Sequence, residues 1–484
     1  MQIPAAPLGK DQLFAKLDDA RKNDFPWRSG RAFAYTFDAG REVEDVAKRA
    51  FTMFMSENAL DPTVYPSLLR FENEIISMAR SHLGGDEHVV GNFTSGGTES
   101  ILLAMKAARD WARVNRPGAT EPEMILPITG HAAFHKAAHY FGIKLVPAAV
   151  DTNFRADPAA VRKLINKNTI VIVGSASSYA HGVVDPIAEL GSIAEANGVW
   201  FHVDACIGGF LLPYFRRLGA KVPEFDFRVA GVSSISMDLH KYAFCPKGAS
   251  VVLYRNKDLR QYQLFACSDW TGYTMLNTTV QSTKSGGPMA AAWAVLQFIG
   301  DSGYLDIARA LLQARDELVA GISAIKGLSV MGDPEMCLVA FTSAAFNIFA
   351  LGDAMRERGW YVQPQLAFEN SKENLHLSIN PSNVPVTTAL LKDLEECSKT
   401  VATLPDPAVE LNGQIKALAA LFGSLDPSKL REQLPTLLTT VGMTSTAETP
   451  DRFALINTML NQFPREVSRQ LLIAYVNELF VPTA

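Results

Sequence analysis

The sequence predicts an α/β protein built on a mostly parallel sheet, and three observations carry that prediction. From Ser56 onward, short β-branched runs alternate with helical patterns, the order expected of strands joined by crossover helices. Several of these runs are continuously apolar and bounded by Gly, Asn or Pro, as strands covered on both faces are. At 484 residues, 48% hydrophobic and 20% charged, the chain exceeds what one core usually supports, so two or three domains sharing an interface are expected.

Residues 1–55 read as an N-terminal arm, mixing a helical run from Asp11 to Lys22 with the irregular stretch Phe25-Pro26-Trp27-Arg28-Ser29-Gly30. Residues 56–310 read as the large domain, with strands expected at Met124 to Ile128, Leu145 to Val150, Thr169 to Gly174, Val199 to Asp204, Ser233 to Met237 and Ala249 to Tyr254. Amphipathic runs near Ile307 to Ile325 and Val386 to Leu404 flank weaker strand signals, so residues 311–405 read as a smaller α/β domain. Pro405-Asp406-Pro407 then punctuates the chain. Residues 406–484 read as a helical extension, with Ile415, Leu418, Leu421 and Phe422 on one face and a final run from Arg465 to Leu479. No internal repeat is visible.

A net charge of −5 and a pI near 6.0 argue against nucleic acid or an anionic membrane face as partner, and favour a small-molecule substrate. No apolar run reaches the roughly 18 residues that span a bilayer, and the N-terminal segment lacks the order of a secretory signal. A cytoplasmic protein is expected. The five cysteines, Cys206, Cys245, Cys267, Cys337 and Cys397, are widely spaced with no CxxC pair, which fits free thiols.

Four local signals carry chemistry. Thr94-Ser95-Gly96-Gly97-Thr98-Glu99-Ser100 opens an apolar helix: glycines let the backbone approach an anion, hydroxyls flank it, and free amides at a helix start attract phosphate. A capped helix start is the plainer reading of that segment alone. Phe201-His202-Val203-Asp204-Ala205 places a carboxylate at the C-terminal end of an apolar strand, the edge where open α/β sheets bind ligands. Ser234 to Tyr242, with His240 and Lys241, puts a lysine in a turn between buried strands, where an unpaired ammonium is costly. A depressed pKa and imine formation with an aldehyde resolve that cost. His131 sits at a strand-to-helix junction ahead of His135 and His139, in position to stack on a bound ring; a metal site on one helical face is the alternative, and no nearby carboxylate or cysteine completes it. Together these supply what a phosphorylated pyridine aldehyde requires: a phosphate cradle, an amine, a stacking ring and a carboxylate that keeps the ring nitrogen protonated.

On TSGGTESILLAMKAARD (Thr94 to Asp110), HAAFHKAA (His131 to Ala138), HGVVDPI (His181 to Ile187), HVDACIGGF (His202 to Phe210) and SISMDLHKYAFCPKGASVVLYRN (Ser234 to Asn256), the chain resembles the sphingosine-1-phosphate lyases. These are members of the group II pyridoxal-dependent decarboxylase family, of fold type I. The resemblance implies a homodimer with active sites at the subunit interface, pyridoxal 5'-phosphate as cofactor, and carbon-carbon cleavage at the α-carbon of an amino substrate. It makes Lys241 the Schiff-base lysine, Asp204 the pyridinium partner and His131 the stacking imidazole. Gly97, Thr98 and His240 would hold the cofactor phosphate, and the neighbouring subunit would add Thr283, ahead of Gly286. Decarboxylation of an amino acid, a transaminase half-reaction and a non-catalytic scaffold are the other readings of the same machinery.

The substrate half of the pattern departs from the family. Where the lyases read roughly NPLHPD, Asn58 to Thr63 puts Asp61 in place of a histidine; Phe37-Asp38 stands where they carry Tyr-His, while Lys247 matches a lysine of their phosphate site. Two carboxylates near a dianion repel it by about a kcal/mol or more each at short range. An altered substrate-phosphate pocket is therefore expected, taking an amine with a cationic or hydroxyl group facing Asp61.

Overall fold

The computed structural model describes residues 2–405 and 453–482. Its centre is a seven-stranded sheet in the order β1-β7-β6-β5-β4-β2-β3, formed by Val90–Thr94 (β1), Glu123–Pro127 (β2), Lys144–Ala148 (β3), Thr169–Ser175 (β4), Trp200–Asp204 (β5), Ser234–Met237 (β6) and Ser250–Tyr254 (β7). Strands β3, β2, β4, β5 and β6 run parallel, whereas β7 is antiparallel to both β6 and β1. Reversal of one strand needs only a tight return, and the return from β6 to β7 is the turn that carries Lys241.

Successive side chains of a strand point to opposite faces, and both faces here are covered. Met124, Leu126, Val171, Val173 and Trp200 pack under the helices Gly97–Asn115 and Ala132–Phe141, while Ile125, Ile172, Phe201 and Val203 join a second core that contains Leu68, Ile187, Leu190 and Met289. Complete burial of side chains such as Phe201 and Ile172 stabilises the sheet by about 2–3 kcal/mol each. The six expected strands are all present, with ends moved by one or two residues.

Edge strand β1 was not among the expected strands, because Val90-Gly91-Asn92-Phe93-Thr94 is neither continuously apolar nor strictly alternating. It forms through its antiparallel partner: a Cβ at Gly91 would stand 2.4 Å from the Val252 carbonyl, so glycine permits the close approach. The arm likewise holds a second helix, Arg41–Met53, not foreseen in the sequence, which lies along the helix Gly286–Ala324. Gly287 makes that contact possible, since an added Cβ would meet the Phe51 ring at 3.1 Å.

Helix Gly286–Ala324 breaks at Gly300, where φ is +64°, and runs through residues 310 and 311 into a four-stranded antiparallel sheet. That sheet, of Leu328–Val330, Leu338–Ser343, Gln363–Gln365 and Asn374–Ser378, packs with the helices Ile348–Glu357 and Thr387–Val401. Of the C-terminal extension, helices Ala454–Gln462 and Arg465–Leu479 are described; the apolar face expected from Ile415 to Phe422 lies outside the described residues.

Candidate active site

The C-terminal ends of β5 and β6, the start of the helix Gly97–Asn115 and the start of the helix Ala132–Phe141 meet around one cavity of about 380 Å³. Its walls include Gly97, Thr98, His131, Ser177, Asp204 and Lys241. Each side chain arrives there for a local reason.

Asp204 closes β5, in register with Ser175 of β4 and Ser236 of β6. Its Oδ1 accepts from the Cys206 amide at 3.1 Å and from the Ser236 hydroxyl at 3.3 Å. His131 caps its helix, its Nδ1 accepting from the Ala133 amide at 3.1 Å, which fixes the ring at the cavity edge.

Lys241 lies in the turn after β6, which is pinned by backbone bonds from His240 to Ala249 (2.9 Å) and from Cys245 to Leu239 (3.1 Å). The Tyr242 hydroxyl donates to the Ile379 carbonyl at 2.9 Å, tying the turn to the smaller sheet's side of the molecule. Lys241 Nζ stands 3.0 Å from Asp238 Oδ2. Burial pulls the lysine pKa down, but the Asp238 carboxylate, followed by Cys206 and Asp204, outweighs it and holds the ammonium above the ordinary lysine range. Burial alone would raise Asp238; Lys241 and then His240 bring its carboxyl below the usual range instead. The depressed lysine pKa expected from the sequence is thus overturned. A buried anion three residues upstream, rather than loss of the proton, resolves the cost of burying the amine.

The cavity suits an anionic, ring-bearing ligand. The helix Gly97–Asn115 has no side-chain cap at its N-terminus, and an α-helix leaves its first amides without intrahelical acceptors, so positive dipole and free donors point at the cavity wall. Two buried polar atoms of cavity-lining residues, Ser177 Oγ and Asp238 Oδ1, have no hydrogen-bond partner among the described residues. Gly97 keeps the space clear: a Cβ there would stand 2.6 Å from Asp238 Oδ2 and 2.9 Å from Cys206 Sγ. In kind these residues fit pyridoxal phosphate: an uncapped helix start suits an anion, with an amine and a carboxylate on the same cavity.

Of the residues singled out in the sequence, Gly97, Thr98, His131, Asp204, His240 and Lys241 line this cavity. Phe37 and Lys247 line a second, largely apolar cavity of about 620 Å³ beneath the arm, with Lys247 Nζ 4.7 Å from the Phe37 ring centre. The others lie outside the cavity of their own subunit. Asn58 Oδ1 accepts from the Leu60 and Lys284 amides. The exposed Asp61 carboxylate is engaged by the Thr63 amide at 2.8 Å and hydroxyl at 2.6 Å. Thr283 is exposed, and Gly286 is buried against the Phe54 carbonyl at the start of its helix. Asp61 thus stands on the surface of the single chain, outside the cavity, with Oδ1 engaged by Thr63 in the loop that leads into the helix Pro66–His82.

Sequence reading missed Asp238, Ser177, Ser236 and Cys206 as parts of the site. Asp238 was recoverable, since a buried lysine demands an anion and Asp238 stands three residues before it. Among the described residues no group of three His, Cys, Asp or Glu is placed to hold a metal ion, and no helix is long and apolar enough to cross a membrane.

Comparison with known proteins gives the same site a wider setting. Residues 22–344 match the pyridoxal-dependent decarboxylase conserved domain, and residues 416–478 match a putative helix-turn-helix domain found at the C-terminus of pyridoxal-dependent enzymes. The chain is 42% identical over 413 residues to sphingosine-1-phosphate lyase of Arabidopsis thaliana, covering 84% of this chain and 75% of the relative. It is 35% identical over 319 residues to a probable L-tyrosine/L-aspartate decarboxylase of Methanothermobacter thermautotrophicus, covering 66% and 85%. The structure of a Burkholderia pseudomallei sphingosine-1-phosphate lyase superposes with a TM-score of 0.80 at 34% identity, covering 88% of this chain and 98% of that one.

Proposed function

The chain belongs to the pyridoxal-dependent decarboxylase family, and on that premise we propose that it uses pyridoxal phosphate held on Lys241 to cleave the Cα–Cβ bond of a β-hydroxy amine. The observation that carries the proposal is the convergence of the Lys241–Asp238 pair, Asp204 and an uncapped helix start on one cavity. It occurs in a chain similar to lyases along more than four-fifths of its length.

When bound, pyridoxal phosphate supplies a sink for the electron pair released at the α-carbon. Asp204 would hold a proton at the ring nitrogen, the Gly97–Thr98 backbone and His240 would bind the phosphate, and His131 would orient the ring. Asp238 keeps the Lys241 amine inside the site. Cleavage removes the β-hydroxyl proton, breaks Cα–Cβ and adds one proton at Cα, giving one aldehyde and one amine, so atoms and charge balance.

A homodimer completes this reading. Thr283 stands on the surface, and the segment before it exposes Phe265, Trp270, Tyr273, Leu276 and Val280, an apolar patch of the kind that a second copy covers. Lys247 and Lys48 line the second cavity together with Asp38 and Glu44, and Glu44 is paired with Arg28 at 2.7 Å and Lys48 at 2.8 Å, so Lys247 and Asp38 are the charges there outside that cluster.

Decarboxylation is the second reading, favoured by the similarity to the probable decarboxylase. Purified protein loaded with cofactor is offered a phosphorylated sphingoid base, an unphosphorylated β-hydroxy amine and a panel of amino acids. Aldehyde without carbon dioxide is expected. Carbon dioxide from an amino acid, with no aldehyde from either amine, would replace the lyase reading.

A further inference from the structure

We propose that a one-way line of hydrogen bonds from Trp200 through Ser234, His202 and Ser236 ends on Asp204 and holds that carboxylate ready for the cofactor ring, making His202 and Ser236 positioning residues. The inference rests on the proposed role of Asp204.

Geometry sets the line. Trp200, His202 and Asp204 alternate along β5 and so share a face, and β6 places Ser234 opposite His202 and Ser236 opposite Asp204. The Trp200 indole N–H reaches Ser234 Oγ at 2.8 Å, Ser234 Oγ lies 2.8 Å from His202 Nδ1, His202 Nε2 lies 3.3 Å from Ser236 Oγ, and Ser236 Oγ lies 3.3 Å from Asp204 Oδ1. All five side chains are buried.

The donor inventory then fixes the direction. An indole nitrogen only donates, so Ser234 accepts from Trp200, and within the line the acceptor open to its own proton is His202 Nδ1. Burial keeps the imidazole neutral, its pKa pushed down to about 4 despite the opposing pull of Asp204. Its single proton therefore sits on Nε2 and points at Ser236. The Cys206 thiol also donates to Ser236 Oγ at 3.2 Å, so that oxygen accepts twice and has one proton to give, to Asp204. The opposite tautomer would leave the Ser234 proton without an acceptor in this line and would turn the Ser236 hydroxyl away from Asp204. Hydrogen bonds to the charged form of a carboxylate favour that form. Both donors reach Oδ1, and no donor among the described residues reaches Oδ2, which is left for the cavity.

The test has two arms on the full chain. In the cofactor-free protein labelled with 15N-histidine, the His202 signal, assigned by its loss in His202→Gln, should show a neutral ring with the proton on Nε2 at pH 7. In the second arm, Ser236→Ala should weaken pyridoxal phosphate binding roughly tenfold or more, the scale of a lost bond to a charged group. Ser236→Thr should restore it, with melting curves confirming that each variant folds. A proton on Nδ1, a cationic ring, or unchanged affinity in Ser236→Ala would overturn the inference. Should Ser236→Ala fail to fold, the tautomer in the wild-type chain decides. Failure of the wild-type chain to bind pyridoxal phosphate would instead sink the proposed function, and this inference with it.

Discussion

Lys241 Nζ and Asp238 Oδ2 form a 3.0 Å ion pair across one turn of chain, with the carboxylate buried and the lysine side chain 21% exposed. The pair explains how a cation persists between two buried strands, and why the turn has its shape. It also places a negative charge where a reactive amine must be held.

Asp238→Asn leaves the Lys241 ammonium without its anion, and unpaired buried charges are costly. Urea unfolding of the cofactor-free protein should show a loss of about 3 kcal/mol, the low end for a broken buried pair because the lysine is partly exposed. Adding Lys241→Met should return most of that loss, giving a favourable coupling in the double-mutant cycle. Independent, additive losses would mean that the pair is not a coupled unit.

Gly97→Ala inserts a methyl 2.6 Å from Asp238 Oδ2. Overpacking of this kind costs about 1–3 kcal/mol. Displacement of Asp238 would also disturb Lys241, so cofactor affinity should fall further than stability does. Fluorescence titration with pyridoxal phosphate beside a thermal melt separates the two; a variant that melts early but binds normally would contradict this placement.

His181, His202 and His376 are buried and His82 is half-buried, and loss of hydration pushes each down to about 4. The unfolded chain therefore binds more protons than the folded one between about pH 4 and 6.5. The stability they contribute is full above pH 6.5 and is lost as pH falls toward 4, at about 1.4 kcal/mol per pH unit for each histidine that titrates on unfolding. Asp185 and Asp226, which burial pushes up to about 6 and about 7, work the other way and remove part of this slope. The urea midpoint of the cofactor-free protein should fall from pH 7 to pH 5. A flat or rising midpoint would contradict the neutral, buried state of these rings.

Much of the sheet was legible because its strands are continuous apolar runs such as Thr169–Ser175 and Trp200–Asp204, which have no stable place except between two layers. Strand Val90–Thr94 was not, since what makes it a strand is a partner more than 150 residues away, Val90 pairing with Tyr254. The cofactor half of the site was readable because Gly97, Asp204 and Lys241 each sit at an element boundary with a local chemical signature. The protonation of Lys241 was misread for want of Asp238, although that residue lay within the same motif. The setting of Asp61 was not readable, because a loop aspartate reads alike whether it faces a ligand or caps its own turn, and its bonds to Thr63 appear only in the fold. The line from Trp200 to Asp204 was invisible because it depends on the register of β5 with β6.

Borohydride reduction of the cofactor-loaded protein, followed by peptide mass spectrometry, tests the account most directly. A single phosphopyridoxyl adduct on Lys241, absent from Lys241→Ala, is the predicted result. An adduct centred on Lys247 or another lysine, or none in a protein that still turns over substrate, would contradict it.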